Sequence, residues 1–152
     1  MPRIERSADV TWEGNVARGG GRISARSGAF TDLPYSLATR IGDPRGKTSP
    51  EELVAAAHAG CYAMSLAGEL ADAGAAPERV DVNAKVVMDE VDGAHRIVGS
   101  EVHARVRVQG IGDALLARAA TAADAGCPLS ALIRASGTVT VEARLEGGND
   151  GD

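Results

Sequence analysis

One stretch constrains this chain more than any other. From Ser49 to Gly74 it reads as a single long helix that is apolar nearly all round. Ser49 is a good N-cap, Pro50 suits the first helical position, and Glu52 completes an S-x-x-E capping box. The helix is predicted over Pro50–Ala73, with Gly74 as its stop. Between Leu53 and Leu66 only His58 and Ser65 interrupt a run of apolar or small side chains. A helix of that kind is buried, not laid on a surface. Gly60 and Gly68 along it permit the close approach of another helix.

The elements around this helix are mostly strands. Val10–Val16, Arg22–Arg26 and Leu33–Ile41 are predicted as a meander, the third carrying Tyr35, Leu37 and Thr39 on one face. After the helix, Val80, Val82, Ala84 and Val86 alternate with Asp81, Asn83 and Lys85. Asp92-Gly93 is a strong two-residue turn signal, and Val102, Ala104, Val106 and Val108 alternate on the return strand. A second helix is predicted from Asp113 as N-cap to Ala125, with Gly126 as its stop. Cys127-Pro128 opens a short helical turn, and Thr138–Leu145 is the last strand. The order is that of an α+β fold, helices packed on antiparallel sheet. One domain is expected over residues 1–145, with 146–152 a flexible Gly and Asp tail.

Composition supports one globular domain and narrows its class. The chain has 152 residues, of which 44% are hydrophobic and 24% charged. Aromatics are only 3%, so the core must be built from Ala, Val, Leu and Ile. Such side chains each bury little area, which hints at further burial in an oligomer. The net charge of -5 removes a general nucleic-acid role, because phosphate binding needs a basic surface. No apolar run is long enough to span a membrane, and the segment Met1–Val10 lacks the apolar region of a signal peptide. A cytoplasmic location is therefore expected.

Chemistry centres on two cysteines, Cys61 and Cys127. In a reducing compartment such a pair is seldom a structural disulfide, and there is no CxxC motif. Cys61 lies in mid-helix, about 16 Å from the helix start at 1.5 Å per residue, too far for the helix dipole to ionise it. Apolar burial would raise its pKa, so a reactive Cys61 needs a cation brought from elsewhere. Otherwise it is an inert core thiol. If Pro128 opens a helix, Cys127 is its N-cap and local electrostatics make it the more acidic thiol; the plainer reading is a small residue in a tight turn.

His58 shares a helix face with Cys61. A Cys–His nucleophile pair, or a metal site adding Cys127 and one of His95 or His103, stands against the simpler reading of a packed histidine. Glu52 is explained by capping, which leaves Glu51 to pair with a cation such as Arg40 or Arg45. Arg40 is otherwise a solvated strand-end charge. Gly19-Gly20-Gly21 is no phosphate loop, since no Lys-Ser/Thr follows.

Three segments together resemble the OsmC/Ohr family of thiol peroxidases, the OsmC branch above all. They are Tyr35–Arg40 with Gly46–Leu53, Ala56–Leu66, and Ala125–Ser130. Trp12-Glu13-Gly14 and the hairpin beginning at Val80 are also similar to that branch. The likeness covers nearly the whole chain. Tyr62 stands where Phe is common and Ser49 where Asn is usual, and neither departure touches the chemistry.

The resemblance implies an intertwined homodimer in which antiparallel sheets wrap two buried central helices. It implies reduction of organic hydroperoxides, and less well of hydrogen peroxide, in defence against oxidative or osmotic stress. Carried over, Cys61 is the peroxidatic thiol, Cys127 the resolving thiol, Arg40 the cation that activates Cys61, and Glu51 the residue that orients Arg40. The Ohr branch places its arginine earlier in the chain, which makes Arg18, Arg22 and Arg26 the alternatives to Arg40. The reductant is a dithiol, lipoyl-type or a small thiol, and no metal, flavin or haem is implied. The reading from another class is a non-catalytic redox- or metal-sensing module using His58, Cys61 and Cys127.

Overall fold

A computed structural model describes residues 1–147 of the chain, so residues 148–152 of the expected tail lie outside the described residues. Within that expected tail Glu146 is held: its amide donates to the Val106 carbonyl at 2.7 Å and its carboxylate accepts from Arg107 Nε at 2.8 Å. The chain divides into two compact units, residues 1–53 and the residues from Val54 onward.

The first unit is a three-stranded antiparallel sheet in the order β1 (Ala8–Glu13), β2 (Gly20–Ala25), β3 (Leu33–Tyr35). Gly21 lies opposite both Trp12 and Tyr35. A Cβ there would meet Tyr35 Cε1 at 2.3 Å and Trp12 Cε3 at 2.9 Å. Only glycine lets the two rings close over the strand, with centroids 5.4 Å apart.

The third strand is shorter than the alternation of Tyr35, Leu37 and Thr39 predicts. After Tyr35 the chain turns into α1 (Leu37–Ile41). The cause is Ser36, whose Oγ accepts from the Thr39 amide at 3.2 Å and caps a helical turn. Arg40 is thereby a helix residue, not a strand-end one.

The predicted long helix is present as α2 (Pro50–Asp72). Ser49 Oγ accepts from the Glu52 amide at 3.1 Å. The Glu52 side chain does not complete the box; its carboxylate accepts from Thr48 Oγ1 at 2.9 Å. Gly74 follows with a φ of 82°, the left-handed conformation of a helix stop. The helix is not buried all round in one chain. His58, Tyr62, Leu66 and Leu70 form the buried stripe, four residues apart, while Ala57, Gly60, Met64 and Gly68 are exposed.

The second unit packs that stripe on a sheet of order β4 (Arg79–Val91), β5 (Ala94–Arg107), β6 (Thr138–Leu145). β4 and β5 form the predicted antiparallel hairpin, turned at Asp92-Gly93 with φ of 53° and 76°. β6 joins β5 in parallel, a departure from an all-antiparallel sheet. The connection between them is long enough to permit it, since it contains α3 (Asp113–Gly126) and α4 (Pro128–Arg134). The N-cap of α3 is Gly112, and Asp113 is its first residue. On β5 the inward positions are Ser100, Val102, Ala104 and Val106. They meet Tyr62, Leu66, Leu70, Leu116, Ala123 and Cys127 in an Ala-, Val- and Leu-based core, as the scarcity of aromatics requires. The architecture is α+β.

Candidate active site

α2 carries Cys61 three residues after the buried His58, and the corner between α3 and α4 carries Cys127. Cys127 ends one helix and begins the next, with φ -82° and ψ 112°. Its amide donates to the Asp124 carbonyl at 3.2 Å, and its carbonyl accepts from the Ala131 amide at 3.2 Å. Pro128 at the start of α4 cannot continue α3, which fixes the corner at this residue. Cys127 is 1% exposed and Cys61 is half-buried.

The fold brings the two thiols together. Burial pushes the Cys61 thiol up from its ordinary pKa, and a hydrogen bond with Cys127 adds to the rise. The Leu129 amide and the Ser65 hydroxyl act the other way, by donating to the sulfur. Cys127 is the N-cap of α4, as the sequence predicts, but its thiol makes no capping hydrogen bond. A first-turn amide of α4, that of Leu129, serves Cys61 instead. That removes the local argument for Cys127 as the favoured thiolate. The balance still leaves Cys61 above its ordinary value, because burial outweighs the two donors.

In the first unit Arg40 and Glu51 form a two-pronged ion pair. Arg40 Nε donates to Glu51 Oε2 at 3.0 Å and Nη2 donates to Oε1 at 2.5 Å. Arg40 lies in the last turn of α1 and Glu51 in the first turn of α2. The bond to Arg40 holds the Glu51 carboxyl below the usual carboxylate range, and the bond to Glu51 pushes the guanidinium pKa up. Arg40 also lines a cleft of about 260 Å³ walled by Trp12, Val16, Tyr35, Ser36 and Leu37. Two of the alternative arginines have other engagements: Arg22 Nη1 donates to the Asp32 carbonyl at 3.3 Å and Arg26 pairs with Asp9 at 3.4 Å.

His58 is fully buried, and neither ring nitrogen is open to Cys61. Nδ1 shares a hydrogen bond with Ser100 Oγ at 2.7 Å and Nε2 with Ser130 Oγ at 2.8 Å. The packed histidine is thus the reading that holds, and the Cys–His pair is not formed. Among the described residues no group of three or more His, Cys, Asp or Glu could hold a metal ion. His103 Nδ1 lies 3.3 Å from Glu142 Oε2. The metal-sensing alternative therefore finds no ligand set there.

Several contributors escape sequence reasoning. The Leu129 amide is a backbone group and leaves no trace in residue identity. Ser65 has a signal, being one helical turn beyond Cys61 and one of two polar breaks in an apolar run. Asp124 pairs with Arg134 across the corner that carries Cys127, and its Oδ1 is buried without a partner.

A family model described as OsmC-like protein matches residues 42–142. The chain is 36% identical to Peroxiredoxin OsmC of Escherichia coli (strain K12), over 94% of this chain and 98% of that one. The chain belongs to the OsmC family. Solved structures agree with the fold. The organic hydroperoxide resistance protein OhrB of Bacillus subtilis is 25% identical, with a TM-score of 0.67 over 92% of this chain and 98% of that one. An OsmC-like protein of unknown function from Vibrio cholerae has a TM-score of 0.75 at 17% identity, over 93% of this chain and 100% of that one. Like its OsmC relatives, the chain is a cysteine-based peroxidase.

Proposed function

We propose that this OsmC-family peroxidase reduces organic hydroperoxides, and hydrogen peroxide less well, through Cys61 and Cys127. The observation that carries the reading is the meeting of the two thiols on α2 and at the head of α4. The Cys61 thiolate attacks the terminal oxygen of the hydroperoxide. The O–O bond breaks, the alkoxide takes a proton and leaves as alcohol, and Cys61 becomes a sulfenic acid. Cys127 then attacks the Cys61 sulfur, the S–O bond breaks, and water leaves as the disulfide forms. A dithiol, lipoyl-type or small, returns both sulfurs to thiols by exchange and is itself oxidised.

Arg40 is the cation that the half-buried Cys61 needs, and Glu51 holds it. Its fork pairing with Glu51 supports that role, because a guanidinium fixed at two points loses little freedom when it meets an anion. The apolar walls of Trp12, Tyr35 and Leu37 beside Arg40 support a substrate with a carbon tail. Residues 1–145 act as one OsmC-like domain, and the working form is an intertwined homodimer. The exposed small-residue face of α2 supports the dimer, since an apolar helix face is stable in water only when something covers it. No helix among the described residues is long and apolar enough to cross a membrane. The cytoplasm, where dithiols stay reduced, suits the cycle.

Cys127→Ser tests the assignment. It is expected to consume one equivalent of hydroperoxide and then stall at the Cys61 sulfenic acid, which only excess hydroperoxide carries to sulfinic acid. Full multiple turnover with a dithiol contradicts the resolving role.

A further inference from the structure

Beside the two thiols runs a second link between the same two helices. His58 precedes Cys61 by one turn on α2, and Ser130 follows Cys127 by one turn on α4. Cys61 meets Cys127, and one turn away His58 Nε2 meets Ser130 Oγ at 2.8 Å. The other ring nitrogen is fixed to Ser100 Oγ on β5 at 2.7 Å. The imidazole thus ties α4 to α2 and to the sheet at once. All three residues are at most 2% exposed, so water does not compete for these bonds.

Burial pushes the His58 pKa down, with Asp124 and Arg134 acting in opposite directions. A neutral imidazole has one donor and one acceptor, and the two serine hydroxyls satisfy both. The remaining side-chain link across this corner, Asp124 with Arg134, joins α3 to α4 and does not reach α2. Apolar packing of Ile133 and Leu129 also seats α4, and His58 Nε2 with Ser130 Oγ is the buried polar tie between α4 and α2.

We propose that His58 is a positioning residue for disulfide closure, holding α4 through Ser130 so that Cys127 stays in reach of the Cys61 sulfur. This rests on the roles given to the two cysteines above. In the step concerned, Cys127 sulfur bonds to Cys61 sulfur, the S–O bond of the sulfenic acid breaks, and hydroxide leaves with the Cys127 proton as water. Cys127 is oxidised and the sulfenic sulfur reduced. A disulfide requires the two sulfurs at about 2.05 Å with a narrow dihedral range, so closure is sensitive to small displacements of α4. The first step, attack on peroxide, forms no bond to Cys127; α4 serves it only through the Leu129 amide at the Cys61 sulfur, so a small displacement of α4 slows it less than closure.

The test separates the two steps. Ser130→Ala, Ser130→Thr and His58→Gln are compared with wild type in a single turnover with cumene hydroperoxide. Loss of the Cys61 thiol and appearance of the Cys61–Cys127 disulfide are followed separately by acid quench, alkylation and mass spectrometry. Ser130→Ala is expected to oxidise Cys61 within about twofold of the wild-type rate but to close at least about tenfold more slowly, as small misplacements of reacting groups do. Sulfenic acid at Cys61, trapped with dimedone, should accumulate in the interval. Ser130→Thr, which keeps the hydroxyl, should close within about threefold of wild type, and His58→Gln should fall between the two. Closure at the wild-type rate in Ser130→Ala overturns the proposal. So does equal slowing of both steps, the mark of general destabilisation, or failure of Ser130→Thr to restore closure. Wild type that forms no Cys61–Cys127 disulfide overturns the cysteine roles themselves and is recognised before any variant is read.

Discussion

The two units of this chain hold their polar groups by opposite means. In residues 1–53 only Gly21, Ile23 and Thr48 are buried, and the central interaction is an ion pair whose Arg40 side chain is 34% exposed. From Val54 onward nearly the whole core is found, and its central interaction is a histidine with no exposure, held between two buried serines. A guanidinium stays charged wherever it is placed, so it tolerates an open scaffold. Thiols and an imidazole respond to burial: Cys61 is pushed up and His58 down, each toward its neutral form. Burial in the second unit therefore disfavours the Cys61 thiolate. The first unit keeps its charge in the open, in the Arg40–Glu51 pair.

Changes that erase one side of this contrast test it. The largest effect belongs to Cys61→Ser, which should abolish hydroperoxide consumption, measured as loss of peroxide with a dithiol present. Arg40→Met comes next. A cation within about 4–6 Å can lower a thiol pKa by 1–3 units, so its removal should slow Cys61 oxidation at least about tenfold. The alkylation rate of Cys61 against pH should shift to higher pH in the same variant. Glu51→Gln should move both readouts the same way but less, because the arginine keeps its charge and loses its anchor. Unchanged alkylation in Arg40→Met transfers the role to Arg18, Arg22 or Arg26.

Smaller effects sharpen the buried side. Tyr62 donates its hydroxyl to the Ala120 carbonyl at 3.3 Å across the core, and burial pushes its pKa well above the ordinary value. Tyr62→Phe should cost about 0.5–1.5 kcal/mol in denaturant unfolding and leave Cys61 alkylation unchanged. His58 has a pKa in the fold below that of the unfolded chain. Above about pH 6.5 both states carry it neutral; below that pH the unfolded state takes up more protons, so stability falls as pH falls. Thermal unfolding at pH 8 and pH 5.5 should show this loss, and His58→Gln should show less of it. Glu51 adds to acid sensitivity with its own sign: its lowered pKa gives stability above the usual carboxylate range that is lost as pH drops through the folded value.

Much of this was written in local sequence. The Ser49-Pro50 start of α2, its apolar run, the Asp92-Gly93 turn and the alternation on β4 and β5 each depend on neighbours in the chain, and each is where it was expected. Position 36 shows the limit. Tyr35, Leu37 and Thr39 alternate like a strand, but one serine hydroxyl caps Thr39 and turns the chain helical. The parallel seat of β6 follows from where the α3–α4 connection returns it, and no periodicity encodes that. At the site, the cysteines and the Arg40–Glu51 pairing are legible from residue type and from likeness to relatives. The partners of His58 are not, because Ser100 and Ser130 lie far from it in sequence and only the fold brings them near.

The central claim is that hydroperoxide joins Cys61 to Cys127. One equivalent of cumene hydroperoxide added to the fully reduced protein, followed by a non-reducing peptide map, reads it directly. The account predicts a Cys61–Cys127 linked peptide, with loss of both free thiols in step and release by dithiothreitol. Cys61 held as a sulfenic acid, trapped with dimedone, while Cys127 remains a free thiol would contradict it.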